Sequence, residues 1–144
     1  MKRFLTCFFI ILACSCTKTI ESPLPYARVN LKIDLRYEDK DLVGTYFHKE
    51  FTSARNAGES VGYGGVLVVC GFDNTYYAYD LACPHEASSK TRVVANDVGQ
   101  AKCPECGTVY DTGYGSGSPV EGVSKYPLKR YTISTYGNEL VIMY

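Results

Sequence analysis

The chain has 144 residues, a length that suits one domain, and its 15 basic and 15 acidic residues cancel. That balance leaves no basic surplus for nucleic acid and no acidic block of the kind that forms a solvating tail. Thirteen tyrosines and thirteen glycines against two methionines favour strands and turns over helices.

The chain opens on Lys2 and Arg3, followed by an apolar run from Phe4 to Ala13 that only Thr6 and Cys7 interrupt. Spanning a bilayer takes about 20 apolar residues; this shorter run reads as a secretory signal peptide over residues 1–13. It ends in Ile11-Leu12-Ala13-Cys14-Ser15-Cys16, which resembles a bacterial lipobox, where cleavage falls just before a cysteine that takes up lipid. Cys14 fits that pattern better and Cys16 is the alternative; the plainer reading is a signal peptide cut at small residues with no lipid. Cleavage before Cys14 leaves 13 basic against 15 acidic residues, a net charge of −2. The mature protein is therefore expected in the bacterial cell envelope, facing the periplasm and held to the membrane by a lipid anchor, where disulfides can persist.

Residues 14–27 carry Pro23 and Pro25 and no apolar period, so they read as a tether and the folded domain is expected over 28–144. Val29, Leu31, Ile33 and Leu35 alternate with polar neighbours, the pattern of a half-buried strand. A second strand is expected within Gly44 to Phe51, then a small polar loop from Ser53 to Gly62. Gly65 to Cys70 holds the continuous apolar run Val66-Leu67-Val68-Val69, as in a strand buried on both faces. The Asp73-Asn74 turn leads into a Tyr-rich strand from Thr75 to Leu81. Short strands are expected at Thr91 to Val94 and Gln100 to Lys102, a Gly/Ser loop at Thr112 to Ser118, and closing strands near Tyr131 to Thr135 and Leu140 to Met143, joined at Gly137-Asn138. No helix period of useful length is present. Many short strands at regular spacing predict an all-β sandwich or small barrel.

Seven cysteines sort into three groups. Cys7, Cys14 and Cys16 belong to the leader, and Cys70 sits in an apolar strand as a small hydrophobe. The other three form Cys83-Pro84-His85, then, after 17 residues, Cys103-Pro104-Glu105-Cys106. Each motif is a tight turn stiffened by proline that aims two side chains at one point. Two facing turns supply four soft or borderline ligands, the number that suits a tetrahedral ion or two irons with two ligands each.

The pattern Cys-x-His…Cys-x-x-ligand resembles the Rieske iron–sulfur family. The resemblance extends through Gly107-Thr108-Val109-Tyr110-Asp111, which is similar to the family's Gly-x-x-(Phe/Tyr)-Asp, and through Ser118-Pro119-Val120 and Tyr126 to Tyr131; it covers residues 60 to 144. It implies a small antiparallel β-sandwich with two metal-binding loops at one tip. It also implies a [2Fe–2S] cluster, with Cys83 and Cys103 on the inner iron and His85 on the outer. The fourth position holds Cys106 where the family has histidine. A thiolate in place of a neutral imidazole favours the oxidised cluster, so the potential is expected below the Rieske range of about −150 to +300 mV, toward the roughly −400 mV of all-cysteine plant-type clusters. Thr108 and Tyr110 fall where the family's high-potential members place hydroxyls on the cluster sulfurs, which raises the potential; each can equally be a turn residue or a core aromatic. The cross-site disulfide of the respiratory members is absent, because position 105 is Glu105.

The function this implies is one-electron transfer to a redox partner protein, with no nucleic-acid role. Nothing in the sequence sets a nucleophile beside a base, so an electron carrier or binding protein is expected rather than an enzyme. Zinc is the chemical alternative, since Cys₃His is an ordinary structural zinc set; a zinc- or disulfide-stapled binding module with a Tyr-rich surface is the functional one. A disulfide between Cys103 and Cys106 is a further alternative. A thioredoxin-like reading of Cys103-Pro104-Glu105-Cys106 is rejected, because that motif opens a helix and Gly107 to Tyr110 reads as a strand. His48 is expected at the surface.

Overall fold

A computed structural model describes residues 20–144. The expected signal peptide and lipid-attachment cysteines, Cys14 and Cys16, lie outside the described residues. The described chain is all-β: eleven strands, every pairing antiparallel, and one three-residue 3₁₀ turn at Lys40–Leu42.

Strands β1 (Val29–Asp34), β2 (His48–Phe51), β3 (Ser60–Val61), β4 (Val66–Cys70), β5 (Tyr76–Asp80), β10 (Arg130–Tyr136) and β11 (Glu139–Met143) form one sheet in the order β2-β4-β5-β10-β11-β1-β3. β10 bridges its two halves. Arg130 and Tyr131 pair with Tyr79 and Ala78 of β5, whereas Thr132 to Tyr136 pair with β11. The sheet thus folds over a core of Val29, Leu31 and Ile33 from β1, Val66 and Val68 from β4, Ala78, Leu140 and Ile142. The alternation expected for the first strand is present, its odd-numbered residues buried and the even ones at least partly exposed.

A second sheet holds β6 (Val94–Ala95), β7 (Gln100–Lys102), β8 (Val109–Asp111) and β9 (Pro119–Glu121) in sequence order. It packs on the other face of β4 and β5 around Leu67, Val69, Tyr79, Leu81, Val93, Ala101, Tyr110 and Leu128. β4 is therefore buried on both faces, its five residues 0–2% exposed, as its unbroken apolar run predicted.

Three expectations shift. The second strand starts only at His48, because Gly44 (φ +148°) and Tyr46 (φ +65°) turn the chain first. The strand expected at Thr91 to Val94 is a single bridge, Ala82 to Arg92, followed by β6. Tertiary contact also begins ahead of Arg28: Leu24 is 5% exposed, and Lys129 Nζ donates to the carbonyls of Leu24 (3.4 Å) and Pro25 (2.9 Å) while lying 4.4 Å from the Tyr144 ring centre.

Candidate metal centre

β5 delivers the first cysteine loop, and buried Asp80 fixes its approach. The Asp80 carboxylate accepts N–H bonds from Tyr63, Gly64 and Ala82 and a hydroxyl bond from Tyr131. The four bonds satisfy a carboxylate that would otherwise be costly to bury. β7 and β8 deliver the second loop as a hairpin.

The two loops share one backbone plan. In the first, Ala87 N–H bonds the Cys83 carbonyl at 2.9 Å; in the second, Gly107 N–H bonds the Cys103 carbonyl at 3.1 Å. Each closing residue is left-handed, Ala87 at φ +50° and Gly107 at φ +70°. The prolines, Pro84 and Pro104, occupy the same second position.

The loops bring three sulfurs together. The Sγ atoms of Cys83, Cys103 and Cys106 all lie within 4.8 Å of one another, and Cys83 and Cys106 are 3.7 Å apart. Cys83 and Cys103 are fully buried, Cys106 partly so. All are free thiols, as is buried Cys70. His85 is exposed and outside the sulfur group. His48 is half-buried, its Nδ1 3.2 Å from the Tyr46 carbonyl oxygen.

Hydrogen-bond donors surround the sulfurs. The Tyr110 hydroxyl is 3.3 Å from Cys83 Sγ, and either group can donate; burial, with the Cys83 sulfur adding to it, holds that phenol above its ordinary range. Thr108 Oγ1 is 3.2 Å from Cys106 Sγ. The same oxygen accepts N–H bonds from Val123 (3.2 Å) and Ser124 (3.1 Å). The Cys106 thiol donates to this oxygen, so Thr108 Oγ1 gathers three donors at one point. Gly122 makes this seat possible, because a Cβ there would come within 2.5 Å of Thr108 Cα. Sequence reasoning singled out Thr108 and Tyr110 but not the 122–124 segment, whose contribution is backbone and leaves no side-chain signature.

The thiols respond differently to these surroundings. Burial pushes Cys103 up to about 12, although the N–H groups of Cys106 and Glu105 act the other way. For Cys106 burial again raises the thiol, but the Thr108 hydroxyl and N–H, with the Cys103 and Cys83 thiols, outweigh it and leave the group below its ordinary value.

Three soft donors in a buried, donor-lined pocket fit a thiophilic metal. As they stand they do not fit two irons. Ligands on different irons of a sulfide-bridged pair are roughly 5–6.5 Å apart at bond lengths of about 2.3 Å. Cys83 and Cys106, which the resemblance assigns to different irons, are 3.7 Å apart.

No family model matches the chain, and no curated protein does. Among solved structures, the chain is similar to one from the complex of reduced oxygenase and oxidized ferredoxin in carbazole 1,9a-dioxygenase, at a TM-score of 0.50 and 14% identity, covering 78% of this chain and 99% of that one. The ferredoxin of carbazole 1,9a-dioxygenase from Nocardioides aromaticivorans IC177 matches at a TM-score of 0.49 and 17% identity, over 79% of this chain and 96% of its own. At these identities the likeness is one of fold.

Proposed function

We propose that this protein is a one-electron carrier built on a sulfur-ligated iron centre. The observation that carries the reading is the convergence of three sulfurs, with the Thr108 and Tyr110 hydroxyls within hydrogen-bond reach of them. Such bonds stabilise thiolate charge and, on an iron centre, the more negative reduced state. Iron would supply the single-electron chemistry, and the β scaffold presents the ligand loops. The finer form of the proposal has three parts. The centre is of Rieske type, and its two-iron, two-sulfide version requires Cys106 to draw back from Cys83 and His85 to turn in toward the site. A lipid on Cys14, or on Cys16, holds the domain to the bacterial envelope on the periplasmic side. The electron is passed to a partner protein.

A second reading is a zinc-stapled binding module. It is favoured by the exposed aromatic pair Phe72 and Tyr114, whose ring centres are 5.8 Å apart. Phe72 sits on the β4–β5 turn, at the opposite end of β5 from Cys83, and Tyr114 reaches it from the β8–β9 loop. The deciding measurement is metal and acid-labile sulfide analysis with a redox titration, on protein purified from its native membrane. Iron with a reversible one-electron midpoint is the expected result. Stoichiometric zinc, or metal-free protein with oxidised cysteines, would sink the carrier reading.

A further inference from the structure

We infer that the centre is mononuclear: one thiophilic divalent ion bound by Cys83, Cys103 and Cys106, with Glu86 as the fourth donor. The inference rests on the reading that these sulfurs hold metal, and it names the nuclearity and the missing ligand of that same site.

The sulfur spacing carries the first half. Four ligands at about 2.3 Å around one tetrahedral ion stand about 3.8 Å from one another. Cys83 and Cys106 are 3.7 Å apart, and Cys103 completes a triangle with no edge above 4.8 Å. Three sulfurs that close could bind one ion with small shifts and would leave its fourth position open. The second loop gives its first and fourth residues, Cys103 and Cys106, to this one group.

The parallel between the loops carries the second half. Both are five-residue turns opened by Cys-Pro, closed by a bond from the fifth N–H to the first carbonyl, and ended by a left-handed residue. Superposing their positions sets Cys83 on Cys103, Pro84 on Pro104, His85 on Glu105, Glu86 on Cys106 and Ala87 on Gly107. Cys106, the fourth residue, is a member of the sulfur group, and Glu105, the third, is not. By the same backbone path, the first loop would present its fourth residue, Glu86, rather than its third, His85, to the site. Both side chains are exposed and outside the 4.8 Å group, so the fourth donor closes the site from the solvent side. A carboxylate is an ordinary partner for thiolates on such an ion.

The test uses the full chain, detergent-solubilised, reduced and stripped of metal, titrated with Co²⁺ and followed by thiolate-to-cobalt absorption. The expected endpoint is one Co²⁺ per chain. Glu86→Gln should weaken Co²⁺ binding by about tenfold or more, His85→Ala should leave it nearly unchanged, and Cys106→Ser should lower the charge-transfer band per bound Co²⁺, since two of the three sulfurs remain. Thermal unfolding of each metal-free variant checks that the fold is kept. A larger loss with His85→Ala than with Glu86→Gln overturns the assignment of the fourth donor. Two irons and two sulfides per chain in the native protein overturn the mononuclear centre while leaving the electron-carrier reading standing. Failure to bind Co²⁺ overturns the mononuclear centre, while the carrier reading falls only if the native protein holds no iron.

Discussion

Thr108 joins the second cysteine loop to the 123–124 segment through one oxygen: it lies 3.2 Å from Cys106 Sγ and takes two N–H bonds from Val123 and Ser124. It is fully buried, so replacing its hydroxyl with a methyl leaves the buried Ser124 N–H and the half-buried Val123 N–H unpaired. Thr108→Val should cost about 1–3 kcal/mol for each donor left unsatisfied, read by denaturant unfolding, while Thr108→Ser, which keeps the hydroxyl, should cost far less. Equal losses in the two variants would mean that the methyl, not the hydroxyl, holds the segments together. The cysteines and both hydroxyls could be singled out from the sequence because their chemistry and spacing are visible there. Which of His85 and Glu86 shares the position of Cys106 could not, because it depends on where each loop closes its backbone bond, and that is a property of folded φ and ψ.

Elements with a strong period were legible and elements defined by distant partners were not. β1 announced itself by alternation and β4 by its unbroken run, each signal coming from what the strand packs against on one face or two. β3 and β9, two and three residues long, are too short to show a period. The docking of residues 24–26 was invisible for a different reason: Leu24 stands alone among polar residues and prolines, and its anchor, Lys129, lies 105 residues away. Lys129→Met keeps the apolar stem but removes the ammonium from both carbonyls. It should make the chain ahead of Val29 markedly more sensitive to limited proteolysis and lower stability by about 1 kcal/mol. An unchanged cleavage pattern would show that Leu24 and the Tyr26–Tyr144 contact hold the segment unaided.

At the scale of the whole molecule, the two cores differ in content but share the β4–β5 hairpin. Tyr131 lies in the first, Tyr79 and Tyr110 in the second, and burial is the largest cause holding all three phenols above their ordinary range. In the unfolded chain tyrosine ionises near pH 10. Groups raised in the folded state contribute stability that is complete below that value and is lost as pH rises beyond it. Stability should therefore fall steeply above about pH 10, with tyrosinate absorbance appearing together with loss of the β signal in circular dichroism. Three phenols ionising at their ordinary pH while the fold persists would contradict their burial. The hairpin has a kinetic consequence as well. Val66–Cys70 is the strand, among those described, with every side chain sunk, and its two faces belong to different cores. Its amide protons can reach solvent only when both cores part, so deuterium uptake along this strand keeps time with opening of the whole domain, while edges such as β3 exchange through local fraying. An ion bound at the sulfur loops touches one core alone; because the clock strand belongs to both, loading the metal would slow uptake there by the full binding linkage, making Val66–Cys70 an internal gauge of occupancy that needs no chromophore.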